Sequence, residues 1–201
     1  MRTVFLLVTF LVCGLFAADS LAFSRVVLDP GHGGHDSGAR SGYTFEKHLA
    51  FDVARRVDVI LREQGIRTTF TRERDNFIPL SSRVRVSNSS RNAIFVSIHF
   101  NSAPRSGAKG LETFYYSSNR DSYYLARFVQ SAMLYKTRQA DRGVKHGTYH
   151  VLRHNKRPSI LVECGFVSNS TDRRKSLDPD YRQRIAEGIA MGILRFKKGA
   201  R

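Results

Sequence analysis

Ala93-Ile94-Phe95-Val96-Ser97-Ile98 is an apolar run broken by a single serine, the pattern of a strand covered on both faces. Such a strand needs helices above and below its sheet, and the flanking sequence supplies them. Arg25-Val26-Val27-Leu28 is a short strand stopped by Asp29-Pro30-Gly31, after which a glycine-rich loop runs to about Thr44. Thr44 is placed to cap a helix in which Leu49, Val53, Val57, Ile60 and Leu61 share one face, with Gly65 at its C-terminal end. Ile66 to Thr71 is β-rich, and Pro79 suits the first turn of a second helix reaching about Ser89. Gly110 to Tyr116 is a further strand, followed by a long helix from about Asp121 to Arg138. Asp141-Arg142-Gly143 reads as a loop, Tyr149 to Leu152 as a short strand and Ser159 to Glu163 as a buried strand. A last helix, about Pro179 to Lys197, carries the stripe Ile185, Ile189, Ile193 and Phe196. Strands alternating with helices specify a single-domain α/β sandwich with a mostly parallel sheet.

The N-terminus stands apart from that domain. Arg2 precedes an almost unbroken apolar run from Val4 to Phe16, and Ser20-Leu21-Ala22 supplies a small-x-small end. Residues 1–22 therefore read as a secretory signal, with a run shorter than the roughly 20 residues of a membrane span. Residues 23–201 are expected to form one exported catalytic domain, in the periplasm, envelope or medium, without a transmembrane segment and as a monomer. The formal net charge is +16, and because Arg2 and Asp19 cancel, all of it stays on the exported part. A surface so basic attracts polyanions. Export argues against nucleic acid, and no basic motif interleaved with aromatics is present; peptidoglycan carboxylates and other anionic envelope polymers are the expected company. Beyond Cys13 in the signal, Cys164 stands alone, so a disulfide framework and a thiolate metal cluster are both excluded. Cys164 reads as a small buried hydrophobe.

In open α/β sheets ligands gather beyond the carboxyl ends of the strands. His32 follows the first strand, His99 ends the strand at Ile98, Glu163 ends the strand at Val162, and Glu46 starts the first long helix. The fold is expected to bring these four to one rim. Two imidazoles and a carboxylate are a recurring donor set for catalytic zinc, and a further carboxylate can act as general base. Spacing alone does not assign the roles, since no short signature such as His-Glu-x-x-His is present. The glycine-rich loop is not a phosphate cradle: Gly31-x-Gly33 has Asp36 where a third glycine belongs, and no Gly-Lys-Ser/Thr follows.

Asp29-Pro30-Gly31-His32-Gly33-Gly34-x-Asp36-x-Gly38, Glu46-Lys47, Ser97-Ile98-His99-x-Asn101 and Leu161-Val162-Glu163-x-Gly165-Phe166-Val167-Ser168-Asn169 follow in order. In these blocks the chain resembles the zinc-dependent N-acetylmuramoyl-L-alanine amidases, and the likeness extends over nearly all of 25–197 through Thr71-Arg72, Asp75, Arg83, Asp141-Arg142-Gly143, Val151-Leu152-Arg153 and Pro158. The resemblance implies an α/β sandwich around a twisted mixed sheet. It implies His32, Glu46 and His99 as ligands of one Zn2+ per chain, Glu163 as catalytic carboxylate, and peptidoglycan as substrate. The bond cut is then the amide between N-acetylmuramic acid and L-alanine of the stem peptide. Phe100 departs from the usually small residue beside His99, either narrowing the site or packing beneath it. His35 and His48 read as polar residues near the site. His146, His150 and His154 fall in a basic stretch with Lys145, Arg153, Lys156 and Arg157, read as a solvated loop or a glycan contact. Phe100 to Val162 is filled by ordinary elements, so the site is expected to be open without an activator. Two other readings remain at this stage: a zinc peptidase acting within the stem peptide, and a non-catalytic binder of envelope polyanions.

Overall fold

The computed structural model describes residues 23–116 and 119–199; the segment read as a secretory signal lies outside the described residues. The elements in chain order are β1 (Arg25–Pro30), β2 (Arg40–Ser41), β3 (Thr44–Phe45), α1 (Glu46–Glu63), β4 (Arg67–Phe70), α2 (Leu80–Ser89) and β5 (Ala93–Asn101). Then come β6 (Leu111–Tyr115), α3 (Arg120–Thr137), β7 (Asp141–His146), α4 (His150–Arg153), β8 (Ser159–Phe166), α5 (Ser170–Leu177) and α6 (Pro179–Lys197). The main sheet runs β4-β1-β5-β8-β6-β7, parallel except at the β8–β6 junction, and β2 and β3 form a separate two-stranded ribbon. A mostly parallel sheet in a single domain is what the sequence pattern called for, and a mixed sheet is what the resemblance implied.

Alternate residues of the central strands enter two different cores, which is why the middles of those strands are mostly apolar. Val26, Leu28, Ile94, Val96 and Ile98 join the large cluster under α1, α3 and α6. Val27, Ala93, Phe95 and Leu161 join a smaller one under α2 and α4. The sheet therefore has a thickly covered face and a thinly covered one. Odd-numbered residues of β5 and β8 lie on the thin face, so His99 and Glu163, at the C-terminal ends of adjacent parallel strands and paired in register, project beyond the cover of two short helices. Phe100 takes the opposite parity and is buried in the large core, as is Cys164. Of the two sequence alternatives for Phe100, packing beneath the site is the one observed.

Three local expectations are corrected. Thr44 does not cap α1: it sits in β3, and the N-cap position is Phe45, which makes no side-chain cap bond. The helix start is instead stitched to the glycine-rich loop by Glu46 N–H to Ala39 O (2.9 Å) and Lys47 N–H to Ser37 O (3.3 Å). Tyr149 to Leu152 is not a strand; α4 occupies His150–Arg153 and packs Val151 and Leu152 into the smaller core. The Asp141-Arg142-Gly143 stretch, read as a loop, instead opens the edge strand β7. A bulge opposite Glu112 absorbs that stretch, with Gly143 at φ 84°.

Candidate active site

The loop after β1 turns sharply enough to place His32 at φ 59°, a left-handed conformation that a non-glycine residue holds only when its surroundings impose it. Two buried arginines impose it. Arg83 donates to His32 O (2.7 Å) and Pro30 O (2.8 Å), and Arg72 to Gly31 O (2.9 Å) and Pro30 O (3.0 Å). Arg83 is fixed by an ion pair with Asp29 at 2.8 Å, and Asp29 also accepts from Thr71 Oγ1 and Ser97 Oγ. Gly31 has no alternative: a Cβ there would lie 2.3 Å from the His99 ring.

Glu46, the first residue of α1, is 4% exposed and reaches into this loop. Its Oε1 faces His99 Nδ1 (2.8 Å) and accepts from Phe100 N–H (3.0 Å). Its Oε2 faces His32 Nε2 (3.1 Å) and accepts from Ala39 N–H (2.7 Å). Burial alone would raise the proton affinity of Glu46, but the hydrogen bonds from His32 and His99 outweigh it and hold the carboxyl far below the usual range. Burial likewise pushes His32 down, and Glu46 and Asp36 more than reverse it, so its pKa is raised. The other nitrogen of His32, Nδ1, meets Asp36 Oδ2 at 2.8 Å, and Asp36 is itself held by Gly38 N–H (3.0 Å). A carboxylate behind a ligating imidazole fixes the tautomer and orients the ring. His32, Glu46 and His99 each offer a ligand atom, all within 4.8 Å of one another, so the cluster is able to hold one divalent metal ion. The donor chemistry, two imidazole nitrogens and one carboxylate, fits a borderline cation.

Glu163 lies one strand over. It is 7% exposed, its Oε2 is buried without a partner among the described residues, and burial, then Glu46 and Glu112, drive its proton affinity well above the ordinary carboxyl value. The structure thus brings all four sequence candidates, His32, Glu46, His99 and Glu163, to one rim. A cleft of about 390 Å³ opens beside His32 and His99, lined also by Phe77, Leu80, Tyr149 and His150. Burial, followed by Glu163 and Glu112, pushes the Tyr149 phenol up to about 12.

Sequence reasoning missed the parts that only pairing across the sheet reveals. Glu112, directly opposite Glu163 in the antiparallel β6–β8 ladder, is the clearest case. In the sequence Tyr149 reads as a strand residue and His150 as part of that strand and of a basic stretch, whereas both border the cleft from the start of α4. Asp36 was seen only as a motif position, although its i,i+4 spacing from His32 was an available signal. Of the remaining histidines, His35 stacks on Phe77 (4.3 Å between centroids) and exposed His48 lies 3.7 Å from Asp75. His146 packs near Tyr116 and His154 against His150, and none of these joins the His32–Glu46–His99 cluster.

Residues 26–195 match the sequence pattern of the N-acetylmuramoyl-L-alanine amidase family. The chain is 37% identical over 179 residues to the protein YqiI of Bacillus subtilis, covering 88% of this chain and 86% of that one. It is 33% identical to the germination-specific N-acetylmuramoyl-L-alanine amidase of the same organism, covering 85% and 78% respectively. Against the amidase LytC of B. subtilis, at 34% identity, it spans 35% of the longer protein. Among solved structures, an N-acetylmuramoyl-L-alanine amidase from Clostridium difficile 630 superposes with a TM-score of 0.84 at 34% identity, over 87% of this chain and 97% of that one.

Proposed function

We propose, from the premise that this chain belongs to the N-acetylmuramoyl-L-alanine amidase family and is a peptidoglycan hydrolase of that type, that it cuts its amide with one zinc ion held by His32, Glu46 and His99 and with Glu163 as proton shuttle. The observation that carries the reading is the convergence of the three donor atoms within 4.8 Å beside a buried, unpartnered carboxyl oxygen. Zinc, when bound, supplies Lewis acidity toward the scissile carbonyl and the attacking water. The chain's own residues do the rest. Glu46 is locked by two backbone N–H groups, and His32 is locked by Asp36, so both present ligand atoms without reorganisation. Glu163 Oε2 takes a proton from the attacking water and delivers it to the departing nitrogen of L-alanine. Its buried position suits it to hold that proton between the two transfers. Phe77 and Leu80 give the cleft part of its apolar lining.

The remaining parts of the reading concern where the enzyme works. Residues 1–22 act as a secretory signal, residues 23–201 work on the envelope as a monomer, and the surplus positive charge adds salt-sensitive affinity for anionic wall polymers. No helix of the described residues is long and apolar enough to cross a membrane. The cluster reaches solvent through the cleft, with His32 and His99 23% and 18% exposed, so the purified protein is expected to work without an activator. The deciding experiment is mass spectrometry of purified sacculi digested by the zinc-loaded chain beside Glu163→Gln. Free stem peptides and intact glycan strands are expected from the former and traces from the latter. Shortened stems, which a zinc peptidase would leave, or no products at all, would overturn the proposal.

A further inference from the structure

The row of residues that holds the site does not end at Glu163. Across the thin face of the sheet it continues through Glu112 on β6 to Arg142 at the bulge of the edge strand β7. Glu112 is buried and receives two cations on one oxygen: Arg142 Nε donates to Oε2 at 2.9 Å and Lys145 Nζ donates to the same atom, while Asn101 Nδ2 donates to Oε1 at 2.7 Å. Glu163, directly opposite Glu112, is the other acid of this row, so it is the open face of the guanidinium rather than net charge that invites an anion. Asp141, the acid of β7, is turned to Gln130 Nε2 and Gly143 N–H and away from that face. Arg142 and Lys145 remain 34% and 40% exposed. The guanidinium is stacked on the Phe166 ring at 4.8 Å and fixed at Nε, and its terminal amino groups have no acceptor among the described residues. A planar fork, held on one side and empty on the other, is a receptor for a carboxylate.

We infer that Arg142, supported by Lys145, is a subsite for a free carboxylate on the peptide side of the scissile amide, so that the enzyme prefers stem peptides whose second residue carries that group as an acid rather than as a carboxamide. The inference rests on the proposed amidase reading for the identity of the substrate. The span agrees. Arg142 is two strands from Glu163, roughly 10 Å at about 4.8 Å per strand, and its side chain reaches back toward Glu112. A carboxylate two residues along an extended peptide lies roughly 7 Å from the reacting bond. The bulge sets Arg142 beside Glu112, and its Nε bonds that carboxylate across the strand gap.

Two matched muramyl peptides, differing only in acid or amide at the second stem residue, test the inference with the zinc-loaded full chain. Wild type is expected to favour the acid by about tenfold or more in kcat/KM, chiefly through KM, as befits a charge-assisted hydrogen bond. Arg142→Gln is expected to bring the acid-to-amide ratio close to one, Lys145→Gln to lower it partly, and Arg142→Lys to restore part of it. Calorimetric binding of the free stem peptides, acid against amide, reads the subsite without turnover and without any variant. A wild-type ratio of one in both assays overturns the inference, as does a ratio unchanged in Arg142→Gln, which would leave the two cations the sole task of neutralising Glu112. Retained acid preference in binding with neither substrate cleaved would sink the amidase reading and leave the subsite standing.

Discussion

Glu46 and Glu163 are buried to nearly the same depth at one rim of the sheet, yet the protein treats them oppositely. The pocket around Glu46 is saturated, with two backbone N–H groups and two imidazoles shared between its two oxygens. The pocket around Glu163 supplies no donor to Oε2 and places two other carboxylates nearby. Saturation keeps the first carboxyl ionised and immobile, as a ligand must be. Deprivation keeps the second ready to accept a proton. Depth of burial therefore does not separate a ligand from a base; the donor inventory around each oxygen does.

The largest break to expect between the two pockets is catalytic. Glu163→Gln should lower kcat by about 10²–10⁴-fold, the usual worth of a positioned acid–base group, with zinc content unchanged and thermal stability equal or higher, because a poorly solvated carboxyl is removed. Turnover near wild type would end the proposed role. Glu46→Gln attacks the saturated pocket with the same change of atom. One oxygen becomes a donor facing donors, so zinc should be lost and the metal-free protein destabilised by about 1–3 kcal/mol in urea melts. Unchanged metal-free stability would mean that the two pockets do not differ as described.

One layer further out, Asp36→Asn keeps the shape behind His32 and removes the charge. Zinc affinity, read by competition with a chelator, should fall about 10- to 100-fold, while turnover at saturating zinc is largely kept. Equal affinity would show that the Ala39 and Phe100 N–H groups on Glu46 orient the cluster unaided.

How far the sequence reaches follows from what is local in it. The alternating cores make Ala93 to Ile98 apolar at every position but Ser97, and the stripe of α6 repeats every turn, so strands, helices and the class of sheet are written in short windows. His32, His99 and Glu163 are legible because each closes or follows such a strand, and strand ends are where ligands collect. The start of α1 is misread at Thr44 because its anchor is the distant glycine-rich loop rather than a side-chain cap. β7 is hidden because Asp-Arg-Gly has the chemistry of a turn, and only the β6 partner turns it into a bulge. Glu112 is hidden because an acid opposite an acid arises from antiparallel register, which no short window contains.

A third carboxylate sharpens the contrast by moving saturation to the surface. Asp52 on α1 accepts from Arg56 Nε (2.8 Å) and from Arg182 Nε of α6, tying two helices of the thick layer together. Partial burial alone would raise its pKa, but the hydrogen bonds from Arg56 and Arg182 prevail and lower it below its ordinary 3.8. A carboxyl depressed in the folded state stabilises above its unfolded value and loses that contribution as pH falls through the folded one. Asp52→Asn should therefore cost stability at neutral pH, and the wild-type and variant curves should converge below about pH 4. With Asp52 38% exposed, solvent and salt reduce the difference to roughly 0.2–1 kcal/mol, the smallest effect considered. Urea melts at pH 7 and pH 3 measure it. A gap as wide as that of Glu46→Gln would mean that saturation by donors, independent of depth, governs these carboxylates; a small gap that closes in acid assigns the difference to the dry surroundings of the cleft.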